Sequence, residues 1–390
     1  MKLLLYFADG FGWQPFEATG FLPGDWVATR PLQSVLGYSS TIIPCLLTGR
    51  YPRETGVFTE YYRAPRERTQ LERALCALEP VRIVADMVRL VLFRIARKLG
   101  LPAAHRLRIS LRFAHLFERH PIDYRKFPPI GLEVPTLADL FAELGLRTEV
   151  TFLERGPSST ELAQLQELSP ERDVFVYFDA SIDTRGHHSG PGATSIRPQI
   201  ESIGSFLSNA WNALGGTELE RELILYSDHG MTEVRQSFDV LDALQSFRVG
   251  ADYLVFLDST MARFWFPDSN LRTRILDALR AAPGRFLTDE DRVWAGINFE
   301  DDRYGQEILV ADEGTVFHPS YISPSFFRTS FPDKGTHGYW PTAASTYGVF
   351  AYRGSQLSVD DIPDPVPAIG VFPLVAKILG RALPSRTEAW

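Results

Sequence analysis

LLLYFADG, residues 3–10, is an apolar run near the N-terminus that ends abruptly on Asp9 and Gly10. A continuous apolar run of this length, closed by a glycine, is typical of a strand that is buried on both faces of a parallel sheet. Open α/β sheets bind their ligands at the carboxyl ends of such strands. Asp9 is therefore a candidate site residue, although an Asp in this position also commonly starts a turn.

A second apolar run delivers acidic residues and histidines in the same way. Residues 173–191, DVFVYFDASIDTRGHHSGP, predict a strand followed by a tight loop between glycines. We expect this loop to turn Asp183 and His187 inward. Carboxylate and imidazole are ligand types that Zn²⁺ accepts, but this spacing taken alone is weak support for a metal site.

Two further stretches strengthen the metal hypothesis. Residues 223–231, LILYSDHGM, predict a strand followed at once by Asp228 and His229, and residues 334–339, KGTHGY, place His337 in a loop between glycines. A lone histidine is more often structural than a ligand. Together with the acids, however, these histidines make six ligands that divide into two sites of three, each with positions open for water or substrate.

A fourth stretch, residues 36–55, contains hydroxyl residues followed by an apolar run that ends at Thr48 and a glycine. Ser39, Ser40 and Thr41 are good helix N-cap types, and an N-cap hydroxyl lies at the positive end of the helix dipole. That position suits an oxygen nucleophile that attacks an anion. A plain structural cap is the alternative interpretation.

Composition excludes some classes of protein. The 390 residues are 45% hydrophobic, as is ordinary for a globular protein, and the net charge of −8 argues against a nucleic acid polymer as partner. The two cysteines provide no disulfide framework, and the sequence shows neither a signal peptide nor a membrane-spanning run. We therefore expect a cytoplasmic location.

The motifs DG, a hydroxyl-bearing helix ending in TG, DxxGHxxG, SDHGM and GTHG occur in this order. The set resembles the alkaline phosphatase superfamily, and most closely its nucleotide pyrophosphatase/phosphodiesterase branch (type I phosphodiesterases). The resemblance implies that Ser39, nine residues before Thr48, is the nucleophile, with Ser40 and Thr41 as alternatives. It also implies two divalent metal ions, with Zn²⁺ expected and Mn²⁺ or Fe as alternatives. The implied ligand sets are Asp9, Asp228 and His229, together with Ser39, for one ion, and Asp183, His187 and His337 for the other.

The sequence departs from the family pattern at two positions. The phosphodiesterases of this branch usually carry Pro two residues after the nucleophile and an Asn further along, where this chain has Thr41 and Glu60. A glutamate beside a phosphate repels it unless the glutamate is protonated, turned away or paired with a cation on the substrate. Glu60 is therefore a candidate substrate residue. The frame that sulfatases require after the nucleophile is absent, so we do not expect sulfatase activity.

Residues 82–119 carry a segregated charge. They contain nine Lys or Arg and two acidic residues, a local net charge of +7 in a chain whose total is −8. Apolar residues at helical spacing predict two amphipathic helices, over 81–99 and 106–118. Three interpretations stay open: a solvated structural face, peripheral contact with an anionic membrane, and a lid whose arginines hold a polyanionic substrate.

The alternation of strands and helices predicts an α/β fold of alkaline phosphatase type. We expect a parallel-rich central sheet flanked by helices, with a helical insertion and a smaller α+β cap. The catalytic core is assigned to residues 1–59, 131–238 and 334–390, the basic helical insertion to 60–130 and the cap subdomain to 239–333.

The sequence thus predicts a two-metal phosphohydrolase that cleaves a small phosphodiester or diphosphate through a phosphoseryl intermediate. One alternative is a phosphomonoesterase or phosphonate hydrolase that uses the same site. Another is a non-catalytic protein that binds an anionic lipid or glycan precursor. The sequence does not indicate the oligomeric state.

Overall fold

The computed structural model describes residues 1–20, 24–70, 72–73, 91–92, 95, 98, 113–122, 126–127, 129, 131–321 and 333–381. The strands are β1 Lys2–Ala8, β2 Ala28–Gln33, β3 Tyr61–Arg63, β4 Phe117–Arg119, β5 Thr148–Leu153, β6 Val174–Asp179, β7 Arg221–Tyr226, β8 Thr232–Glu233, β9 Gln236–Asp239, β10 Leu254–Leu257, β11 Met261–Trp265, β12 Gly284–Phe286, β13 Glu307–Ala311, β14 Thr315–His318, β15 Gly335–Thr336, β16 Gly348–Arg353 and β17 Val366–Pro367. The α-helices are α1 Trp13–Thr19, α2 Ser39–Thr48, α3 Pro52–Thr55, α4 Leu137–Glu143, α5 Ser159–Leu168, α6 Ser181–Ser189, α7 Ala193–Ala213, α8 Val240–Ala243, α9 Ser269–Ala278, α10 Asp289–Trp294 and α11 Val371–Ile378.

The chain divides into two compact units. Unit 1 comprises Met1–Val57, Pro121–Val234 and Asp333–Trp390, and unit 2 comprises Phe58–His120 and Arg235–Pro332. The segments that the sequence assigns separately to an insertion and to a cap therefore fall largely within one unit.

Unit 1 is built on a seven-stranded sheet in the order β17-β2-β16-β7-β1-β6-β5. Strand β1 runs parallel to both β6 and β7, and β5 runs parallel to β6, whereas β16 is antiparallel to both of its neighbours. Because side chains alternate along a strand, β1 contributes to a core on each face of the sheet. Leu3, Leu5 and Phe7 enter one core with α2, α4 and α11, and Leu4 and Tyr6 enter the other with α5 and α7.

Unit 2 contains a four-stranded antiparallel sheet in the order β10-β11-β13-β12, together with the ribbon of β3 and β4. Strands β10, β11 and β13 and helix α9 lie within residues 239–333, where the sequence predicts an α+β cap. The ribbon is joined to the sheet by an aromatic core in which Tyr61 stacks on Phe256, and Phe117 meets Phe256 edge-on.

The predicted helix over 106–118 is wrong for the part that the structure describes. Ala114–Leu116 forms a single 3₁₀ turn and Phe117–Arg119 forms β4, which pairs antiparallel with β3. Burial of Phe117 in the aromatic core outweighs the helical pattern of the sequence. Within the predicted helix over 81–99, the few described residues, 91–92, 95 and 98, are helical. The rest of the basic segment lies outside the described residues, so its three interpretations stay predictions.

The described helices include none with the length and apolar character that crossing a bilayer requires.

Candidate metal centre

The sheet of unit 1 brings Asp9 and Asp228 together. Strands β1 and β7 are parallel neighbours with Phe7 opposite Tyr226, so the residues that follow them emerge at the same edge. The Gly10 amide donates a hydrogen bond to Asp228 Oδ1 at 3.2 Å, which connects the two strand ends directly. The sequence prediction that acids after these strands share one site is consistent with this arrangement.

Asp9, Asp228 and His229 form the first triad, and their potential ligand atoms lie within 4.8 Å of one another. His229 Nε2 is 3.5 Å from Asp9 Oδ1 and 3.3 Å from Asp228 Oδ2. His229 Nδ1 lies 2.7 Å from the carbonyl oxygen of Gly230, which can only accept, so Nδ1 carries the proton. Nε2 therefore directs a lone pair toward the carboxylates, as metal-ligating histidines do.

Asp183, His187 and His337 form the second triad. Asp183 Oδ1 is 3.3 Å from His187 Nε2 and 3.9 Å from His337 Nε2. His187 Nδ1 donates to the Gly335 carbonyl oxygen at 2.8 Å, which again leaves Nε2 facing inward. The sequence places Asp183 and His187 on a loop, and that prediction is wrong: both lie on α6, where a spacing of four residues puts them on one face.

The two triads are adjacent. The Asp183 amide donates to the Asp9 carbonyl oxygen at 3.1 Å, and the rings of His229 and His337 stack with centroids 3.6 Å apart. Gly10 permits this approach, because it has a φ of +69° and a Cβ there would lie 2.9 Å from Asp183 Cα. Any other residue at position 10 would push the strand end away from α6.

Ser39 lies beside the first triad. Its Oγ is 3.2 Å from His229 Nε2. The sequence suggests an N-cap role for Ser39, but the N-cap is Tyr38 and Ser39 is the first helical residue of α2. Of the alternatives, Thr41 is fully buried and Ser40 is partly exposed. Pro44 lies inside α2, which continues past it to Thr48.

Three carboxylates of the site lie close together and repel one another, which favours a bound cation. Burial, followed by the charges of Asp228 and Asp183, raises the pKa of Asp9 well above its usual range. Burial opposes a charge on His187, but contact with Asp183 raises its pKa to about 9. Burial and the neighbouring His229 lower the pKa of His337.

Several carboxylate oxygens of the site have no hydrogen-bond donor within the part of the chain that the structure describes. They are buried, and they are Asp9 Oδ1, Asp183 Oδ1 and Asp228 Oδ2. Buried polar atoms are rarely left unsatisfied, so these oxygens are positioned for a partner outside the chain. Mixed carboxylate and imidazole donors in two groups of three fit divalent ions such as Zn²⁺, Mn²⁺ or Fe²⁺.

Glu60 is not a member of either triad. It belongs to unit 2, where its Oε1 accepts a hydrogen bond from Arg119 Nε at 2.5 Å. This pairing with a cation of its own chain is not among the three states that the sequence analysis considers.

Sequence reasoning missed several residues that support the site. Tyr38 meets the ring of His337 edge-on at 5.6 Å, and the carbonyl groups of Gly230 and Gly335 orient two of the histidines. Met231 packs against Gly186 and Gly335, which precede the histidines of the second triad. Met231 could have been found, because it belongs to the SDHGM motif. The sequence does not indicate which backbone carbonyl groups accept hydrogen bonds from the histidines.

Comparisons with known proteins identify related chains and agree with this fold. A family model described as type I phosphodiesterase / nucleotide pyrophosphatase matches residues 34–340. The structure of murine ectonucleotide pyrophosphatase / phosphodiesterase 5 is similar with a TM-score of 0.66 at 16% sequence identity, over 99% of this chain and 97% of that one. The human protein of the same name gives 0.65 at 16% identity, over 100% and 97%. An inactive variant of the murine protein in complex with AMP gives 0.64 at 15% identity, over 99% and 97%. The predicted α/β fold class is confirmed.

Proposed function

The chain belongs to the type I phosphodiesterase / nucleotide pyrophosphatase family, whose members hydrolyse phosphodiester and pyrophosphate bonds, and we propose that it does so through a phosphoseryl intermediate on Ser39. The family assignment confirms the resemblance seen in the sequence motifs. The observation that carries the proposal is the position of Ser39 Oγ, 3.2 Å from His229 Nε2 and beside two triads of metal-ligand type.

We propose that the two triads hold two divalent ions. Asp9, Asp228 and His229 would hold one of them, and Asp183, His187 and His337 the other. When bound, such ions act as Lewis acids that polarise phosphate oxygens and lower the pKa of hydroxyl groups near them. Zn²⁺ is the expected ion, because each triad combines imidazole with carboxylate ligands.

The chain's own residues orient the reaction. Ser39 begins α2, so the positive end of the helix dipole faces a phosphate that approaches its hydroxyl. In the first step a bond forms between Ser39 Oγ and phosphorus while the bond to the leaving oxygen breaks. In the second step water displaces Ser39 from phosphorus and regenerates its hydroxyl.

The substrate is proposed to be a small phosphodiester or diphosphate. The AMP complex of the murine relative shows that the fold accommodates a nucleotide in that protein. Glu60 stays a candidate substrate residue from the sequence; within unit 2 it is paired with Arg119.

Initial rates with metal-reconstituted protein test the proposal. We would compare an aryl phosphodiester, the matched aryl phosphomonoester and a nucleoside diphospho-sugar. Turnover of the diester or the diphosphate should exceed that of the monoester, and chelation followed by metal addition should abolish and then restore it. A preference for the monoester would assign the same site to phosphomonoester hydrolysis. Stoichiometric binding of two ions without turnover of any of the three would contradict the enzymatic proposal.

A further inference from the structure

Helix α6 has a pocket on the side that the metal centre does not use. The pocket has a volume of about 350 Å³, and its walls include Ser181, Arg185 and His188 of α6, with Arg155 and Gln199 from neighbouring segments of unit 1. A volume of this size is at the lower end of the range for small-molecule sites, roughly 300–1,000 Å³.

The pocket and the second triad occupy opposite faces of one helix. Ser181, Arg185 and His188 are spaced by three and four residues and therefore share a face. Asp183 lies two residues from both Ser181 and Arg185, which places it on the far side of α6 together with His187. A ligand in the pocket would thus be separated from the metal ligands by the thickness of a helix, about 10 Å.

The charge of the pocket suits an anion. Arg155 and Arg185 line it, and Glu154 is the one carboxylate among the described residues that line it. Arg185 Nε donates to the Ser195 carbonyl oxygen at 3.2 Å, which fixes the stem of this side chain.

Two buried polar atoms in the pocket wall have hydrogen-bonding capacity left. They are Gln199 Oε1, which has no partner within the described part of the chain, and Ser181 Oγ, on a residue that is only 5% exposed and lies beside the Asp179 carboxylate. The Ser181 hydroxyl can donate, whereas Gln199 Oε1 can only accept. A complementary ligand therefore offers acceptor oxygens at one end and a hydroxyl donor at the other.

We propose that this pocket binds a small organic phosphate monoester that carries a hydroxyl group. The phosphate oxygens accept hydrogen bonds from Arg155, Arg185 and the Ser181 hydroxyl, and the ligand hydroxyl donates to Gln199 Oε1. A carboxylate has only two oxygens for these donors, so phosphate is the better match. The site is separate from the proposed metal centre and does not depend on the proposed activity.

Isothermal titration of the full chain with glycerol phosphate tests the site. Chelator-treated protein should bind one equivalent, because metal removal abolishes phosphate binding at the catalytic centre and leaves the pocket intact. Metal-loaded protein should bind a second equivalent. Methyl phosphate should bind the chelator-treated chain more weakly than glycerol phosphate, and acetate more weakly still. Acetate affinity equal to that of methyl phosphate would overturn the phosphate class.

Variants assign the contacts. Arg155→Gln combined with Arg185→Gln should weaken glycerol phosphate binding at least about tenfold, while turnover of a small aryl phosphodiester stays unchanged. Arg197→Gln is the matched control, since Arg197 pairs with Glu201 and does not line the pocket. Equal weakening in the control and the double variant would indicate only general surface charge and would refute the site.

Two single variants keep the test decisive if the double variant does not fold. Ser181→Ala should weaken the binding of both phosphates, because it removes a buried donor. Gln199→Leu should weaken the binding of glycerol phosphate and leave that of methyl phosphate unaffected, because only glycerol phosphate carries the hydroxyl. Unchanged affinity of both ligands in both variants would contradict the proposal.

Discussion

The two triads offer the same kinds of ligand atom but are supported in different ways. Asp228 and His229 of the first triad follow a strand in the middle of a seven-stranded sheet, and their side chains are 0% and 2% exposed. Asp183 and His187 of the second triad lie on the nine-residue helix α6, and their side chains are 20% and 24% exposed. The first triad is therefore positioned by sheet register, and the second by packing between short elements.

This difference has consequences for stability and catalysis. Sheet register is determined by many backbone hydrogen bonds, so a single side-chain change does not displace the first triad. Helix α6 meets the two-residue strand β15 through local contacts, such as the amide of Lys334, the residue before β15, donating to the His187 carbonyl oxygen at 2.7 Å. We expect the second triad to respond more readily to changes in neighbouring packing.

The largest expected effect is on turnover and involves the first triad. Ser39→Ala removes the attacking oxygen, so turnover of an aryl phosphodiester should fall by about a thousandfold or more. Both ions should be retained, because three protein ligands remain at each triad. Steady-state rates and elemental analysis of the same preparation measure both results.

Ser40→Ala is the matched control for that variant, since it alters the adjacent hydroxyl of the same helical turn. It should retain nearly all turnover. An inactive Ser40→Ala together with an active Ser39→Ala would assign the nucleophile to Ser40 and contradict the role given to the contact between Ser39 and His229.

Asp228→Asn should have the next largest effect. The carboxamide preserves an oxygen that can accept from the Gly10 and His229 amides, at 3.2 and 3.0 Å in the wild type, so the fold should survive. It removes the negative charge that a divalent ion requires. We expect one ion to be lost per chain with a large fall in turnover. Retention of two tightly bound ions by Asp228→Asn would contradict the first ligand set.

The same comparison shows what the sequence could reveal. Asp9 and Asp228 were predictable as neighbours because uninterrupted apolar runs mark buried parallel strands, and residues after such strands share an edge. Asp183 and His187 were chosen as ligand candidates and lie together in the second triad, but their local structure was predicted wrongly. The glycines at 186 and 190 suggested a loop, whereas Gly186 is buried within α6.

Tertiary packing explains that error and another in unit 2. A Cβ at Gly186 would lie 3.0 Å from Met231 Cε, so the glycine serves close packing rather than a turn. Phe117 was assigned to a helix by its spacing, but it is fully buried in an aromatic core of unit 2. In both places the decisive neighbours are distant in sequence, and local patterns do not contain them.

His337→Ala should affect only the second triad. The residue follows β15, and its removal leaves Asp183 and His187 without a third protein ligand. We expect loss of one ion with retention of the ion at the first triad, and a smaller decrease in stability than a buried sheet residue would cause. Spectroscopy of Co²⁺-substituted protein can follow the two sites separately. Simultaneous loss of both ions would show that the triads are not independent.

The smallest expected effect on turnover concerns Met231, which connects the two triads. It follows the first triad in sequence, yet its side chain fills the space between Gly186 and Gly335, where a Cβ would lie 3.0 Å from its Cε and 2.9 Å from its Cγ. Those two glycines precede His187 and His337 by one and two residues. Met231 is 7% exposed, so it acts as a buried spacer that sets the distance between α6 and β15.

Met231→Ala should therefore show that the second triad is more sensitive to packing than the first. The truncation should lower the free energy of unfolding by about 2–5 kcal/mol, as is typical when a buried methionine becomes alanine. Affinity for the second ion should fall about 10- to 100-fold, the size of effect seen when groups that orient metal ligands are removed, while affinity for the first stays within error. Met231→Leu conserves most of the volume and should cost less than about 1.5 kcal/mol with both ions retained. Met231→Ala could instead weaken the binding of both ions equally, or of the first ion alone. Either result would mean that the sheet edge depends on local packing as much as α6 does, and the contrast between the triads would not hold.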